Sequence, residues 1–202
     1  MWIVTARVPL TQDRFADAAI AYRAIVPSRL AGASGSLGAV LLLNAPARVA
    51  ESVSYWRAAE DVVSYRQAHG TSPEEGWLPE IARGPSSCYS AVLLQRNKPL
   101  AEGVTLRSAE LRCRTGYVDR GLDYLRELAE AELAELPGFR SLFCGVDPPG
   151  AQVVLSTSWD TADDLARAER QLAGYEGTFR ALAQAEPLSV ETSRLAVLVP
   201  AG

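Results

Sequence analysis

ESVSYWRAAED, residues 51–61, decides the fold, because a closely similar run, VVLSTSWDTADD, occurs again at residues 153–164. Each run has the pattern of a β-strand that ends in a tryptophan and is followed by a small-polar and acidic step. Trp56 and Trp159 stand 103 residues apart. The same offset pairs further matching residues: Asn44 with Asp147, Pro46 with Pro149, Ser54 with Thr157, Glu60 with Asp163, Asp61 with Asp164, and Ser90 with Ser193.

A duplication of this length indicates two copies of one small unit, since a solenoid would need at least three shorter repeats. We expect a first repeat at residues 1–98 and a second at residues 104–202. The linker between them is predicted to be RNKPLAEG, residues 96–103, where proline and glycine break the pattern. Upstream of the second strands the offset is expected to slip by three residues, which would place Asp13 on Asp119 and Arg14 on Arg120.

The hydrophobic periods predict the order βαββαβ in each copy. The first three strands of the two copies are WIVTARV and RSAELRCR, then SLGAVLLLN and FRSLFCGVD, then ESVSYW and QVVLSTSW. The first helices are DRFADAAIAYRAIV and GLDYLRELAEAEL. In the second copy the second helix is expected to begin at Asp160 or Thr161. Its predicted apolar face is Leu165, Leu172, Tyr175, Phe179 and Leu182.

This element order predicts an α+β fold made of two ferredoxin-like units, each an antiparallel sheet with helices on one face. The other sheet face of such a unit needs cover, and a duplicated chain can supply it from its own second copy. We therefore expect an internal pseudo-dimer, and a further homodimer stays open as an alternative.

Composition narrows the class of partner. The chain has 202 residues, is 48% hydrophobic and 22% charged, and has a formal net charge of −4. These values are typical of a globular protein and argue against nucleic acid or an anionic membrane as partner. The three cysteines have no metal-like spacing and the chain has a single histidine, so we expect no zinc site. The N-terminus lacks a basic, apolar leader, and no apolar run is long enough to span a bilayer, so we expect a cytoplasmic protein.

The segments SVSYWRAAEDV and LSTSWDTADDL resemble the W-x-S-x-E segment of the antibiotic biosynthesis monooxygenase branch of the dimeric α+β barrel superfamily. PGFRSLFCGVD resembles the stretch that leads into strand two of that branch. The resemblance covers nearly the whole chain as two tandem copies and implies an intramolecular dimeric α+β barrel. It also implies cofactor-independent oxygenation by O2 of an aromatic polyketide, in which a phenol or anthrone becomes a quinone in a pocket between sheet and helices.

The resembled enzymes carry an asparagine four residues before the strand tryptophan and an arginine about twenty residues after it. The second copy matches with Trp159 and Arg180, but the asparagine position holds Leu155. The first copy matches with Trp56, has Ser52 at the asparagine position, and shows no clear arginine. The resemblance therefore implies a principal site in the second copy, with Trp159 as a wall and Arg180 as the oxyanion partner.

Further candidate residues come with a structural alternative for each. His69 is the third candidate catalytic residue, and the substrate-binding candidates are Trp56, Ser52, Tyr65, Thr157 and Tyr175. The tryptophans and tyrosines could instead be core residues. Arg180 could serve the helix dipole and His69 a helix end beside Gly70. The cysteines are expected to be inert.

Other functions on the same scaffold remain open at this level. They are a polyketide cyclase, a haem-using or haem-degrading oxygenase, and a ligand-binding protein without catalysis. A haem enzyme needs an axial ligand, and His69 is the one imidazole in the sequence. In the first copy the segment GTSPEEGWLPE, rich in glycine and proline, could either cover a pocket or fill it.

The internal pseudo-dimer predicts that residues 1–98 expressed alone do not form a well-folded monomer. Without the second copy, an apolar sheet face would be exposed to water, so the fragment should associate or bind a hydrophobic dye strongly. Sedimentation and dye fluorescence test this against the full chain. A monomeric fragment with native-like unfolding and no dye binding would contradict the pseudo-dimer.

Overall fold

The computed structural model describes residues 1–70, 86–147, 149 and 151–200. Within these residues the chain forms eight β-strands and four α-helices. The strands are β1 (Trp2–Pro9), β2 (Ser36–Asn44), β3 (Val49–Trp56), β4 (Ser86–Arg96), β5 (Thr105–Arg112), β6 (Phe139–Val146), β7 (Gln152–Trp159) and β8 (Glu186–Pro200). The helices are α1 (Phe15–Leu30), α2 (Ala59–His69), α3 (Val118–Ala131) and α4 (Ala162–Ala183). The predicted α+β class and the βαββαβ order of both repeats are confirmed.

The 103-residue offset holds from the first strand onward. The elements β1, α1, β2, β3 and α2 begin 103 residues before β5, α3, β6, β7 and α4 respectively. The expected slip that put Asp13 on Asp119 is therefore wrong. At the 103-residue offset, the buried residues of the two first helices match one another. The matching pairs are Ala18 with Gly121, Tyr22 with Leu125, Val26 with Ala129, and Leu30 with Leu133.

The chain divides into two compact units, each with a four-stranded antiparallel sheet. The first unit comprises Met1–Cys88 and the chain from Arg194 onward, and its strand order is β1-β3-β2-β8. The second comprises Tyr89–Ser193, with the order β5-β7-β6-β4. The last strand of the first repeat, β4, is thus hydrogen-bonded to β6 of the second unit. The last strand of the second repeat, β8, is hydrogen-bonded to β2 of the first unit. These units follow strand pairing rather than sequence similarity, so the repeat boundaries at 1–98 and 104–202 stay a prediction.

Each unit has its own apolar core built around the strand tryptophan. Trp56 and Trp159 are both fully buried. The indole N–H of Trp56 donates to Ser54 Oγ at 2.6 Å, and that of Trp159 donates to Thr157 Oγ1 at 3.0 Å. Residues two apart on a strand share one face, so the hydroxyl lies where the buried donor needs it. The duplicated S/T-x-W pattern is therefore a duplicated core contact.

The helix faces follow the predicted periods, with two differences. In the first repeat, α1 continues through Pro27 to Leu30, one turn beyond the predicted stretch, and Leu30 is buried. In α4, Leu182 is 38% exposed, so its place in the predicted apolar face is wrong. Ala183, four residues after the buried Phe179, takes the core position instead.

A glycine and an aspartate meet at the tryptophan end of each third strand. Gly35 and Gly138 have φ of +75° and +77°, a backbone region that favours glycine. Their carbonyls accept the backbone N–H groups of Arg57 (2.8 Å) and Asp160 (2.7 Å). A Cβ on Gly35 would lie 2.0 Å from the carboxylate of Asp61, and one on Gly138 would lie 2.3 Å from that of Asp164.

The acidic step after each tryptophan is thereby explained as a helix start. Asp61 and Asp164 lie in the first turn of α2 and α4, where negative charge is favourable to the helix dipole. Thr161 is the N-cap of α4, as predicted, and its hydroxyl oxygen accepts the N–H of Asp164 at 3.1 Å. Hydrogen bonds from Thr161 and Arg167 hold the pKa of Asp164 below its ordinary value.

The predicted linker lies between β4 and β5 and is tied to the second unit. The backbone N–H groups of Asn97 and Lys98 both donate to the carbonyl of Arg140. Lys98 Nζ lies 2.6 Å from a carboxylate oxygen of Asp160, which lowers the pKa of that carboxyl, and Arg140 contacts the same carboxylate. The segment GTSPEEGWLPE lies outside the described residues after Gly70. In the described part of the chain, no helix is long and apolar enough to cross a membrane.

Gly35→Ala and Gly138→Ala are expected to destabilise the protein more than two matched controls. Gly32→Ala and Gly116→Ala impose a similar positive φ, +80° and +82°, but their Cβ would meet nothing within 4 Å. All four variants incur backbone strain of about 1 kcal/mol. The first two also displace the aspartate, at about 1–3 kcal/mol more. Urea denaturation measures the difference, and equal losses in all four variants would contradict the close approach.

Candidate active site

A small cavity lies between the sheet and the helices of the second unit. Its volume is about 40 Å³, room for about three water molecules at roughly 10–15 Å³ each. Six leucines form most of the wall: Leu125, Leu128, Leu133, Leu142, Leu155 and Leu172. Four polar side chains also line it: Arg107, Thr157, Tyr175 and Glu176. An apolar wall with a few polar groups has the composition of a small-molecule site.

Three strands form the floor of this cavity. Arg107, Thr157 and Leu142 are cross-strand partners on β5, β7 and β6, so they lie side by side in one row. Leu155 lies two residues before Thr157 and therefore on the same sheet face. The helices α3 and α4 contribute the remaining wall, apart from Leu133 in the short 3-10 turn after α3.

Arg107 and Glu176 form an ion pair at the cavity. Arg107 Nη2 lies 2.7 Å from Glu176 Oε2, and the two side chains are only 14% and 11% exposed. Partial burial strengthens the attraction relative to a surface pair and makes an unpaired charge costly. The pair joins β5 to α4, two elements that pack in one core. It places a cation and a carboxylate beside an otherwise apolar space.

Tyr175 lines the cavity, and its hydrogen-bond partner is not a member of the ion pair. Its hydroxyl donates to Glu132 Oε2 at 2.6 Å. This hydrogen bond to a carboxylate, with some desolvation, raises the pKa of Tyr175 to about 12. The phenol is therefore neutral at physiological pH, and it connects α4 to the segment after α3.

Thr157 and Trp159 lie close together, but only Thr157 lines the cavity. The Thr157 hydroxyl accepts the indole N–H of Trp159, which is fully buried behind it. The ring of Trp159 packs edge-on against Phe139, with centroids 5.5 Å apart. Trp159 thus fixes a wall residue rather than forming the wall of this cavity, and a direct role for it stays a prediction.

Arg180 lies in the last turn of α4 and is not among the residues that line this cavity. Its Nε is buried and has no hydrogen-bond partner among the described residues. The preceding Phe179 packs so closely on Gly121 that a Cβ there would lie 2.5 Å from the ring. The structure therefore does not bring Trp159 and Arg180 together at the cavity, and the role of Arg180 stays a prediction.

In the first unit, the matching positions carry a different set of side chains. Val4 takes the place of Arg107, Tyr22 that of Leu125, and Ser52 that of Leu155. Tyr22 is fully buried, and its hydroxyl donates to the carbonyl of Val40 and hydrogen-bonds to Ser52 Oγ, both at 3.0 Å. The hydroxyl of Ser52, a predicted substrate-binding group, is thus engaged by Tyr22.

The remaining first-repeat candidates form an aromatic row. Trp56 and Tyr65 have ring centroids 5.4 Å apart, and Tyr65 and His69 are stacked at 4.2 Å. Tyr65 is buried, whereas His69 is exposed at the end of α2. His69 Nδ1 lies 3.0 Å from the carbonyl of Tyr65. Gly70 follows in the left-handed conformation, with its N–H bonded to the Arg66 carbonyl, which confirms the helix end at this position.

Two of the three cysteines are buried in the second unit. Burial raises the pKa of the Cys113 thiol to about 11 and that of Cys144 still further above its ordinary value. Because the thiolate is the reactive form, these two thiols are inert near neutral pH, as predicted. Cys88 is only partly buried.

At the level of sequence, no family model matches the chain. The chain is similar to two proteins of Mycobacterium tuberculosis strains, the uncharacterized proteins Rv2557 and MT2634. Each is 26% identical over 182 residues, which covers 88% of this chain and 80% of the relative.

Several solved structures are similar to this chain in fold. An anthrone oxidase-like protein has a TM-score of 0.74 at 17% identity, over 100% of this chain and 93% of its own. A candidate monooxygenase from Fusobacterium nucleatum has a TM-score of 0.71 at 11% identity, over 100% and 94%. The chain has the dimeric α+β barrel fold. A haem-degrading enzyme from Listeria monocytogenes has a TM-score of 0.58 at 8% identity, over 96% and 99%.

These likenesses confirm the predicted α+β barrel class and its resemblance to antibiotic biosynthesis monooxygenases. At such low identities they show the fold alone, a fold that proteins described as oxygenases share. The residues of this barrel protein must therefore be assigned from its own geometry.

Of the residues predicted to bind substrate, Thr157 and Tyr175 line this cavity, and Arg107 and Glu176 line it although the sequence did not single them out. A signal for Arg107 was present in the alternation of β5. Arg107 shares a strand face with Ala109 and Leu111, which are both fully buried. A charged residue on a buried face usually has a partner or a function. Glu176 gives no such signal, because α4 contains several other acidic residues at its surface.

The raised pKa of Tyr175 predicts a loss of stability in alkali. The phenol has a folded pKa of about 12 and an ordinary value of about 10. The contribution of the protonated phenol to the free energy of unfolding is fully present at pH values below its ordinary pKa. This contribution is lost as the pH rises through the folded-state pKa. Between pH 10 and 12 the wild type should therefore lose more free energy of unfolding than Tyr175→Phe or Glu132→Gln. Urea denaturation across this range measures it, and parallel curves would contradict the assignment.

Proposed function

We propose that the protein is a cofactor-independent monooxygenase that oxidises a phenolic or anthrone-type aromatic polyketide to a quinone. In this reaction the substrate and O2 give the quinone and water. An ionised phenol is electron-rich enough to give an electron to O2 itself, so the protein has to ionise the substrate, hold it and exclude water. The small aromatic substrate and O2 are the proposed partners.

The observation that carries the proposal is the cavity of the second unit. Its leucine wall would hold a flat apolar ring system and keep water away. The Arg107–Glu176 pair would lie at one part of that wall, as a donor for the developing oxyanion and a proton acceptor. The likeness of the fold to an anthrone oxidase-like protein supports the same reaction class.

The cavity has to enlarge before an aromatic substrate binds. Its volume of about 40 Å³ is far below the roughly 300–1,000 Å³ of typical ligand pockets. Tyr175 is a partly exposed wall residue, and its bond to Glu132 connects α4 to the end of α3. We propose that this bond opens on substrate entry, at a cost of about 1.5–3 kcal/mol for a hydrogen bond to a charged group.

The second repeat is proposed as the principal site and the first as a weaker or structural half. Arg107 has no counterpart in the first repeat, where Val4 stands at its position. Trp159 would act through Thr157, and Arg180 remains a candidate donor because its Nε is buried without a partner among the described residues. We also propose that the protein works in the cytoplasm as an internal pseudo-dimer, without nucleic acid or membrane.

A haem-linked oxygenase is the second candidate function, and one observation favours it. The contact of His69 Nδ1 with the Tyr65 carbonyl fixes the tautomer that leaves Nε2 as the nitrogen available to a ligand. His69 is also exposed at the end of α2. When bound, a haem would supply the oxygen chemistry, and His69 would be its ligand. Haemin titration followed at the Soret band, with His69→Ala as control, separates this candidate from the first.

Oxygen uptake with anthrone tests the proposed function. We expect uptake by purified protein without added metal, flavin or haem. Arg107→Ala should slow it by about 10²-fold, the typical cost of a lost oxyanion donor. Arg180→Ala and Trp159→Ala test the other second-repeat residues, whereas His69→Ala and Trp56→Ala test the first. Arg126→Ala, which removes an exposed ion pair with Asp123, is the matched control and should keep the wild-type rate.

The outcome is read at matched thermal stability. If only the first-repeat substitutions abolish oxygen uptake, the principal site is in the first repeat and not in the second. If the wild type consumes no oxygen with anthrone or a naphthol, the monooxygenase proposal is wrong. A haem-linked oxygenase, cyclase activity or simple ligand binding would then be the remaining explanations.

A further inference from the structure

The ion pair at the cavity combines a carboxylate, which can accept a proton, with a guanidinium. We infer that Glu176 accepts the proton of the substrate's phenolic hydroxyl and that Arg107 then pairs with the resulting phenolate. The inference rests on the proposed function and names the groups that ionise the substrate. In this step the phenolic O–H bond breaks, a new O–H bond forms on Glu176, and no electrons leave the substrate. Electron transfer to O2 follows as part of the proposed reaction.

Charge balance is the first argument. Before the transfer, the site holds one positive guanidinium and one negative carboxylate. After it, the site holds the guanidinium, a neutral carboxylic acid and a negative phenolate. The net charge stays at zero, so no uncompensated charge appears among the six leucines, where it would be costly. A lone carboxylate or a lone arginine at this wall would not have this property.

Position is the second argument. Arg107 Nη2 and Glu176 Oε2 are 2.7 Å apart, so a hydroxyl placed at the pair reaches donor and acceptor within hydrogen-bond distance. Arg107 is held on β5, opposite Thr157 of β7, and Glu176 is held on α4, and both line the cavity. A pair on two regular elements is better fixed than one on loops.

The other polar groups of the lining are already committed. The Thr157 hydroxyl accepts the indole N–H of Trp159. The hydroxyl of Tyr175 donates to Glu132, and its raised pKa keeps it protonated. Both are neutral hydroxyls, which are far weaker bases than a carboxylate, so neither is suited to take the proton of a phenol. Among the described residues that line the cavity, Glu176 is the one carboxylate, and Arg107 is the one cation.

The experiment uses 1-naphthol as the probe, because its anion absorbs at longer wavelength than the neutral form. Binding is followed by absorbance at neutral pH under anaerobic conditions. Proton release is measured by calorimetry in buffers that differ in ionisation enthalpy. The variants are Glu176→Gln, Arg107→Val, which carries the residue of the first repeat, and the double variant, which leaves neither charge unpaired. Asp123→Asn, which breaks the exposed pair with Arg126, is the control.

Wild type and Asp123→Asn should bind naphthol as the anion without releasing a proton, because Glu176 keeps it. Glu176→Gln should still show the anion band but release one proton for each anion bound. Arg107→Val and the double variant should bind only neutral naphthol, at least tenfold more weakly. Proton release by the wild type, or an undiminished anion band in Arg107→Val, would overturn the inference.

Failure of this assignment is distinguishable from failure of the proposed function. If the wild type consumes oxygen with anthrone and the Arg107 and Glu176 variants keep its rate, the function stands and the ion pair is only structural. If naphthol binds as the anion but no aromatic substrate gives oxygen uptake, the pair ionises its ligand and the monooxygenase proposal fails. If the wild type binds no naphthol, the pair has no such role.

Discussion

The structure depends on satisfying one buried indole N–H in each repeat. A tryptophan at the end of the third strand fills the core, and its N–H would be costly if it lacked a partner. The hydroxyl two residues earlier on the same strand provides one, which commits that whole strand face to the core. The chain then turns at the tryptophan, and the glycine and the aspartate of the next helix pack together there. Strand, turn and helix start are thereby fixed as one unit.

Much of the fold was predictable because the pattern occurs twice. The shared offset around Trp56 and Trp159 predicted the repeat and its strands, and Thr161 was one of the two residues predicted to start α4. The first helices were misaligned because the match of Asp13 to Asp119 was a likeness of exposed residues, which carry little information on packing. The site was harder to predict. Thr157 and Tyr175 lie on apolar faces that periodicity reveals, but Arg107 and Glu176 meet only through the packing of α4 on β5.

The two repeats differ in the buried side chains that lie between the sheet and the first helix. In the first unit a tyrosine occupies the helix position facing the sheet, and its hydroxyl is satisfied by Ser52 and the Val40 carbonyl. In the second unit leucines take both positions, and an arginine replaces a valine on the neighbouring strand. The first core therefore has a polar contact at these positions, whereas the second has leucines beside a cavity and an ion pair. Duplication allowed one copy to keep the scaffold while the other changed.

The pairing of β8 with β2 has a consequence for synthesis. The edge of β2 needs Arg194–Pro200 as its hydrogen-bonded neighbour, yet these residues leave the ribosome about 150 positions after the end of β2. At about 5–20 residues per second, that edge waits roughly 8–30 s. An apolar strand such as LGAVLLL is a template for wrong pairing during that time. A chaperone that shields nascent chains would therefore matter more for the first unit than for the second.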